Sequence, residues 1–402
     1  MVTVEYNPFV PDVHANPYPM YRQLREEDPV HWSPLLEAWI LTRYDDVLAV
    51  LKHSRFSADR RQARNRFVQQ MMEQQAQAGP LAQASTMLTS DPPQHTRLRG
   101  LVSKAFTFKA VEALRPRIKQ IVDELLDGVE DKGRMDVIWD LAYPLPVIVI
   151  AEMLGVPPEQ RDTFKRWSDD IVATLGGPMT PLDAQERGRK SSDEMAEYFR
   201  GAIAERRRQP QDDLLSRLIA AEESGGVLSE EEMLATCILL LAAGNETTTN
   251  LIGNGTLALL RSPEQLDLLR ARPELAESAV EEFLRYDGPV QGTARVAMEQ
   301  IEVGGQKIDE GQLAFVMLAA ADRDPAVFSQ PESLDIARQD NRHIAFGHGI
   351  HFCLGAPLAR AEAQIAFATM LRRLPSLRLE TEPEWGGTFI LRGLKSLPVA
   401  WS

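Results

Sequence analysis

The chain has 402 residues, 44% hydrophobic and 25% charged, the proportions of a globular protein. A formal net charge of -14 argues against general binding to nucleic acid or to an anionic membrane. Two cysteines, Cys237 and Cys353, leave no disulfide framework and fit a reducing cytoplasm. No stretch reaches the ~18 consecutive apolar residues of a membrane span, and the polar, proline-rich residues 1–21 lack the pattern of a signal peptide.

In chain order, residues 16–21 read as a turn into a short helix over 22–27. Residues 30–32 and 39–42 are β-prone around Ser33-Pro34, which predicts a hairpin. Tyr44-Asp45-Asp46-Val47 starts another helix with an aspartate cap. Residues 60–90, rich in Gln, Met and Ala, read as a solvated, weakly helical loop. A helix follows from Asp91 to Ala105. His95 and Arg99 lie four apart on one face of it, and both can donate charged hydrogen bonds to a carboxylate; a solvated basic face is the plainer meaning. The run from Arg97 to Lys119 carries seven basic residues against Glu112 alone. It either steers an acidic partner or lies solvated.

Residues 121–218 are largely helical in pattern, with breaks at Gly133, at 155–158 and at Gly176-Gly177-Pro178. The last break divides 167–175 from 182–204, as a mobile lid or as a plain loop. Asp212-Asp213 caps a further helix, and Ser229-Glu230-Glu231-Glu232 starts the longest, over 229–260. Its segment 238–243 is apolar all round, which predicts burial. Ala243-Gly244-Asn245-Glu246-Thr247-Thr248-Thr249 then interrupts it with polar groups. Glycine there costs about 1 kcal/mol against alanine, and threonine hydroxyls bond backward and bend helices, so a kink is expected. An acid beside an alcohol in a buried kink can relay protons; the plainer alternative is that Thr247 caps a carbonyl and Glu246 pairs with a cation.

Glu282 and Arg285 stand at i, i+3, a helical ion pair, with Arg338 or Arg342 available to complete it. Residues 290–296 read as a strand, 301–303 and 307–308 as a hairpin through Gly304-Gly305, and 377–380 and 397–399 as terminal strands. The most specific stretch is Phe346-Gly-His-Gly-Ile-His-Phe-Cys-Leu-Gly-Ala-Pro-Leu-Ala-Arg360. Gly347 and Gly349 let the backbone approach something flat. A thiolate at the start of the helix after Cys353 gains from free N–H groups and the dipole, and His351 and Arg360 add donors. Cys237 reads as a small core residue.

The spacing Phe346-x-x-Gly349-x-x-x-Cys353-x-Gly355 resembles the haem-binding loop of the cytochrome P-450 family, the haem-thiolate monooxygenases. Three further motifs match in order: Asp91-Pro92-Pro93-x-His95-Thr96-x-x-Arg99, Ala243-Gly244-x-Glu246-Thr247-Thr248 and Glu282-x-x-Arg285. The resemblance spans essentially the whole chain. It implies a mainly α fold with a small β-rich portion, one haem-binding domain over 1–402, and haem b (iron protoporphyrin IX) between the long kinked helix and the Cys353 loop. Cys353 would be the metal ligand. His95, Arg99, Arg295 and His351 would hold the propionates, Phe346, Leu354, Gly355, Ala243 and Gly244 would line the cofactor, and Glu282 and Arg285 would lock the fold. Glu246 and Thr247 would bring protons to dioxygen, although many relatives carry Asp in place of Glu246.

The chain carries no flavin or iron–sulfur motif. The resemblance therefore implies electrons from a ferredoxin or flavodoxin with an NAD(P)H-dependent reductase, docking near Arg97, Lys104 and Lys109. A cytoplasmic monomer is expected, with no membrane anchor. The pocket candidates Met87, Leu88, Leu175, Leu240, Ala243, Val290, Gln291, Ile390 and Leu391, with Met71 and Met72 beside them, are mainly apolar. They point to a hydrophobic substrate such as a steroid, fatty acid, terpenoid or macrolide, and to secondary metabolism. A peroxide-driven peroxygenase and a haem protein that binds a ligand without oxygenating it are the alternatives; the intact Glu246-Thr247 pair speaks against both.

Overall fold

The computed structural model describes residues 4–77, 84–174, 181–223 and 228–402. Its helices used below are α1 (Tyr18–Glu27), α2 (Gln94–Ala105), α3 (Phe108–Asp127), α4 (Pro144–Met153), α5 (Arg161–Ala173), α6 (Leu182–Arg208), α7 (Glu230–Leu260), α8 (Ala276–Asp287) and α9 (Ala356–Arg373). They are organised around α7, which packs against α4, α5, α6, α8 and α9.

The start of α7 follows from its sequence. Ser229 and Glu232 form a capping box, each side chain accepting the other's backbone N–H, and three glutamates in the first turn complement the helix dipole. The expected interruption at 243–249 does not divide the helix, which is continuous for 31 residues. The hydroxyls of Thr247 and Thr249 donate back to the carbonyls of Ala243 and Asn245 at 2.8 and 3.0 Å, so the polar run is satisfied within the helix.

The sheet lies at the other side of the chain's path. Strands β1 (Val30–Ser33), β2 (Ala38–Leu41), β3 (Phe56–Ser57), β4 (Thr293–Ala297) and β5 (Leu313–Val316) run in the order β1-β2-β5-β4-β3. Only the β2–β5 pairing is parallel. The 30–41 hairpin is as expected, and so is the one at 301–308, where Gly304 and Gly305 take φ of 56° and 80° to make the two-residue turn. The helix beginning at Tyr44 is not capped by its own aspartates. Asp45 and Asp46 sit in its first turn, and the Tyr44 N–H donates to the Asp324 carboxylate at 2.9 Å, a cap supplied from 280 residues away. Segment 60–90 is more helical than expected, with a helix at Arg66–Gln77. The Gly176–Pro178 break and Leu175 lie outside the described residues. Among the described residues, no helix is long and apolar enough to cross a membrane.

Candidate active site

The Cys353 loop is shaped by its own backbone. Gly347 and Gly349 both have φ of 72°, a conformation that side chains resist. The turn they make is closed by Gly347 N–H donating to Ile344 O at 2.7 Å and Cys353 N–H donating to Phe346 O at 2.9 Å. Helix α9 begins directly after, with Gly355 as its N-cap. Burial pushes the Cys353 thiol up; the Gly355 and Ala356 amides and the charges of Arg99 and Arg360 act against it. Cys353 is nonetheless accessible. Cys237 is a closed contrast: it is fully buried, its thiol pushed up to about 12 by desolvation, and it behaves as core.

Beside the sulfur is a group of donors without enough negative charge. The His95 ring is buried, and neither ring nitrogen has a partner among the described residues. The His351 ring lies 4.4 Å from it, centroid to centroid. Desolvation lowers both histidines; for His351 the charges of Arg295, His95 and Arg99 help, and it falls to about 4. Arg295 is buried on β4 with no carboxylate bonded to it; its Nη1 donates to Ala294 O at 2.8 Å. Desolvation and the charge of Arg60 lower it to about 10. Arg99 donates to Phe352 O at 2.7 Å. Arg60 is the residue that sequence reasoning missed. It starts a 3-10 turn packed on β4, burial lowers its pKa, and it has no ion-pair partner among the described residues. No motif marks an arginine whose role depends on the strand it packs against.

One face of α7 is open. Buried residues fill its other faces, but Ala243 is exposed in mid-helix, and Leu239, Leu240, Glu246 and Thr247 on the same stripe are half-buried. The expectation of burial all round is corrected here. A Cβ placed on Gly244 would meet no atom within 4 Å. Burial pushes the Glu246 carboxyl up to about 7, with Asn250 acting against it. Its Oε2 is buried without a hydrogen-bond partner, and no cation pairs with it among the described residues.

The Glu282–Arg285 pair is fully buried, both side chains 0% exposed, and joined by two bonds of 2.8 Å. Arg285 also donates to the carbonyls of Asp322, Pro331 and Ser333. Arg338, not Arg342, completes the group, donating to Glu282 at 3.0 Å beside Asn341. Arg342 pairs instead with Asp340 at the surface.

The pocket candidates divide. Met87 and Leu240 are half-buried against the main core; Val290 and Leu391 face each other across a β-bridge; Ile390 packs on the cluster under the sheet. Leu88 is 53% exposed, and Met72 is half-buried beside the sheet cluster. Gln291 is a correction. Its amide accepts from Tyr21 and donates to Gly288 O at 2.8 Å, so it packs toward α1, the opposite side from its neighbour Val290 in the extended chain. The basic run is also corrected in part. Arg97 is bonded to Glu232, Arg115 to Glu112, Arg117 to Glu152 and Lys119 to Asp123, so much of its charge is used internally.

The site fits a flat, dianionic, metal-bearing cofactor. Among the described residues no group of three or more His, Cys, Asp or Glu could hold a metal ion. The partnerless His95 nitrogens and the carboxylate-poor Arg295 and Arg60 suit two carboxylates, and the open side of Gly244 leaves room for a plane.

The comparisons agree. The family model described as Cytochrome P450 matches residues 31–384. Cytochrome P450 CYP107DY1 of Priestia megaterium is 45% identical over 94% of this chain and 94% of its own length. Cytochrome P450 monooxygenase PikC of Streptomyces venezuelae is 44% identical, over 97% of this chain and 92% of its own. The crystal structure of P450BioI in complex with a hexadec-9Z-enoic acid ligated acyl carrier protein has a TM-score of 0.88 and 40% identity, covering 97% of this chain and 100% of that one.

Proposed function

The chain belongs to the cytochrome P450 family and is a haem-thiolate monooxygenase, and from that premise we propose which of its residues hold the haem, which move protons and what kind of substrate it takes. The haem b of this family, when bound, supplies the activation of dioxygen and the insertion of one oxygen atom into a hydrophobic substrate. Cys353 would supply the thiolate that holds the haem iron, with the Gly355 and Ala356 amides as donors to its sulfur. His95, Arg99, Arg295 and His351, with Arg60 added, bind the two propionates. That no carboxylate among the described residues is bonded to His95 or Arg295 carries this assignment.

Glu246 and Thr247 serve as the proton path. A carboxyl near 7 holds a proton at neutral pH and releases it readily. The Thr247 hydroxyl is anchored by its own donation to Ala243 O, which aims its lone pairs away from that carbonyl. The apolar stripe of Leu239, Leu240 and Ala243 keeps bulk water from competing for those protons.

The substrate we propose is a polyketide-type or fatty-acyl molecule, hydroxylated on an apolar stretch, with electrons from a ferredoxin or flavodoxin reduced through NAD(P)H. The apolar lining at Met87, Leu240, Val290 and Leu391 supports it, as do a relative named for polyketide biosynthesis and a solved relative in complex with a fatty-acyl carrier protein. Among the proposed donor contacts, Lys104 and Lys109 carry no ion pair among the described residues. The deciding experiment is the carbon monoxide spectrum of the reduced protein against Cys353→Ser, followed by substrate-induced spectral titration with macrolactones and long-chain fatty acids. A Soret band strongly red-shifted only in the wild type, and micromolar titration by one of these classes, is the expected result. A histidine-type carbonyl spectrum would overturn the assignment of Cys353, and titration by neither class would overturn the substrate.

A further inference from the structure

One carboxylate holds both ends of the Cys353 loop. Glu281 stands on α8 next to the buried Glu282, and its side chain points to different partners. Arg360, in the first turns of α9 after the loop, donates to it through Nε and Nη2, both at 2.7 Å. His343, just before the loop, meets the same carboxylate through Nε2 at 3.0 Å. Burial opposes ionisation of Glu281, but the bonds from His343 and Arg360 outweigh it and hold the carboxyl at about 2.

The two partners of Glu281 also bracket one ring. The Arg360 guanidinium lies over Phe346, 4.6 Å from its centroid, and the His343 ring is 6.1 Å from the same centroid. Phe346 in turn supplies the carbonyl that accepts the Cys353 N–H. Arg360 is also one of the cations whose charge reaches the sulfur. The Glu281 carboxylate therefore decides two things at once: where the loop's ends sit, and how much of the Arg360 charge is left for the thiolate.

We propose that Glu281 is a positioning residue for the axial thiolate, fixing Phe346 through Arg360 and His343 and neutralising Arg360 so that Cys353 stays a strong electron donor. Its role is separate from that of Glu282, which bonds to Arg285, Arg338 and Asn341 and not to the loop. The inference rests on Cys353 as the haem ligand.

The test is the reduction potential and the reduced carbonyl spectrum of haem-loaded Glu281→Gln. Removing this negative charge favours the state with one more electron. The reduction equilibrium is expected to move about tenfold toward the ferrous form, about 59 mV for one electron, with a carbonyl Soret band still of thiolate type but displaced from the wild type. Glu281→Asp, which keeps the charge, should return most of the shift. Glu277→Gln, exposed one turn earlier on α8, controls for net charge. A Glu281→Gln potential no different from that of Glu277→Gln would overturn the proposal. Should Glu281→Gln lose its haem, Arg360→Gln carries the test in the opposite sense, toward the ferric form, and an unmoved potential there would overturn it equally. A wild-type spectrum without thiolate character would instead end the reading on which the inference rests.

Discussion

Glu281 and Glu282 on α8, and Glu246 and Glu362 on α7 and α9, are carboxylates among the same packed helices, yet they are treated in opposite ways. The α8 pair is met by donors: Arg285, Arg338 and Asn341 for Glu282, Arg360 and His343 for Glu281. Glu281 is held at about 2. Among the described residues no cation meets Glu246 or Glu362. Desolvation pushes Glu246 to about 7 and Glu362 to about 8, each leaves a buried oxygen without a partner, and Thr248 acts weakly against the shift of Glu362. Depth does not set the outcome, since Glu282 and Glu362 are both essentially inaccessible. The supply of donors does. Where donors are supplied a buried carboxylate becomes an anchor, and where they are missing burial favours its protonated form.

The largest effect should come from breaking an anchor. Glu282→Ala leaves Arg285 and Arg338 buried without their anion, at a cost of about 3–5 kcal/mol. The expected outcome is little soluble haem-containing protein, read as haem per chain and melting temperature; normal yield and haem content would break the contrast. Glu246→Gln should leave folding intact and reduce product formation by about 10²–10⁴-fold. It should also remove a limb near pH 7 from the rate profile, as measured by product formed against NAD(P)H consumed across pH 5–9. Thr247→Val should spare haem binding but lower the product formed per NAD(P)H, because the acid stays while the next hydroxyl is gone.

Acid titration sharpens the comparison further. The folded Glu281 carboxyl lies below its ordinary value near 4.5. Its contribution is therefore present above about pH 4.5 and lost as pH falls toward 2, about 3 kcal/mol over that window. Glu281→Gln should flatten this part of the stability curve in denaturant titrations between pH 5 and 3. Glu362 has the opposite sign. Its folded value is raised, so the native state binds the extra proton, and stability declines as pH rises from about 4.5 to 8. Glu362→Gln should melt a few degrees higher than wild type at pH 8 and the same at pH 5.

What could be read from the chain follows the range of the interactions. The Cys353 turn was legible because two positive-φ glycines and a helix start lie within ten residues of sequence. The α7 start was legible because a capping box spans four. The Glu282–Arg285 pair was legible as one helical turn, while the choice of Arg338 over Arg342 depended on a loop 56 residues away. Arg60 was not legible, since only β4 gives it meaning, and the Tyr44 helix takes its cap from Asp324. Gln291 shows the same limit on a smaller scale: it was grouped with the pocket candidates, and its amide bonds to Tyr21 and the Gly288 carbonyl.

The clasp of Glu281 on His343 and Arg360 also defines a unit of exchange. Residues 344–359 enter and leave at two points tied to one carboxylate of α8, so the segment behaves as a cassette of fixed span around its Phe346, glycine and Cys353 positions. Replacing it by a segment of equal length from a relative keeps both terminal contacts. Adding or deleting a single residue inside it moves Arg360 along α9 by about 100° of helical rotation, off the carboxylate and off the Phe346 ring. Length, as much as identity, is what this loop inherits.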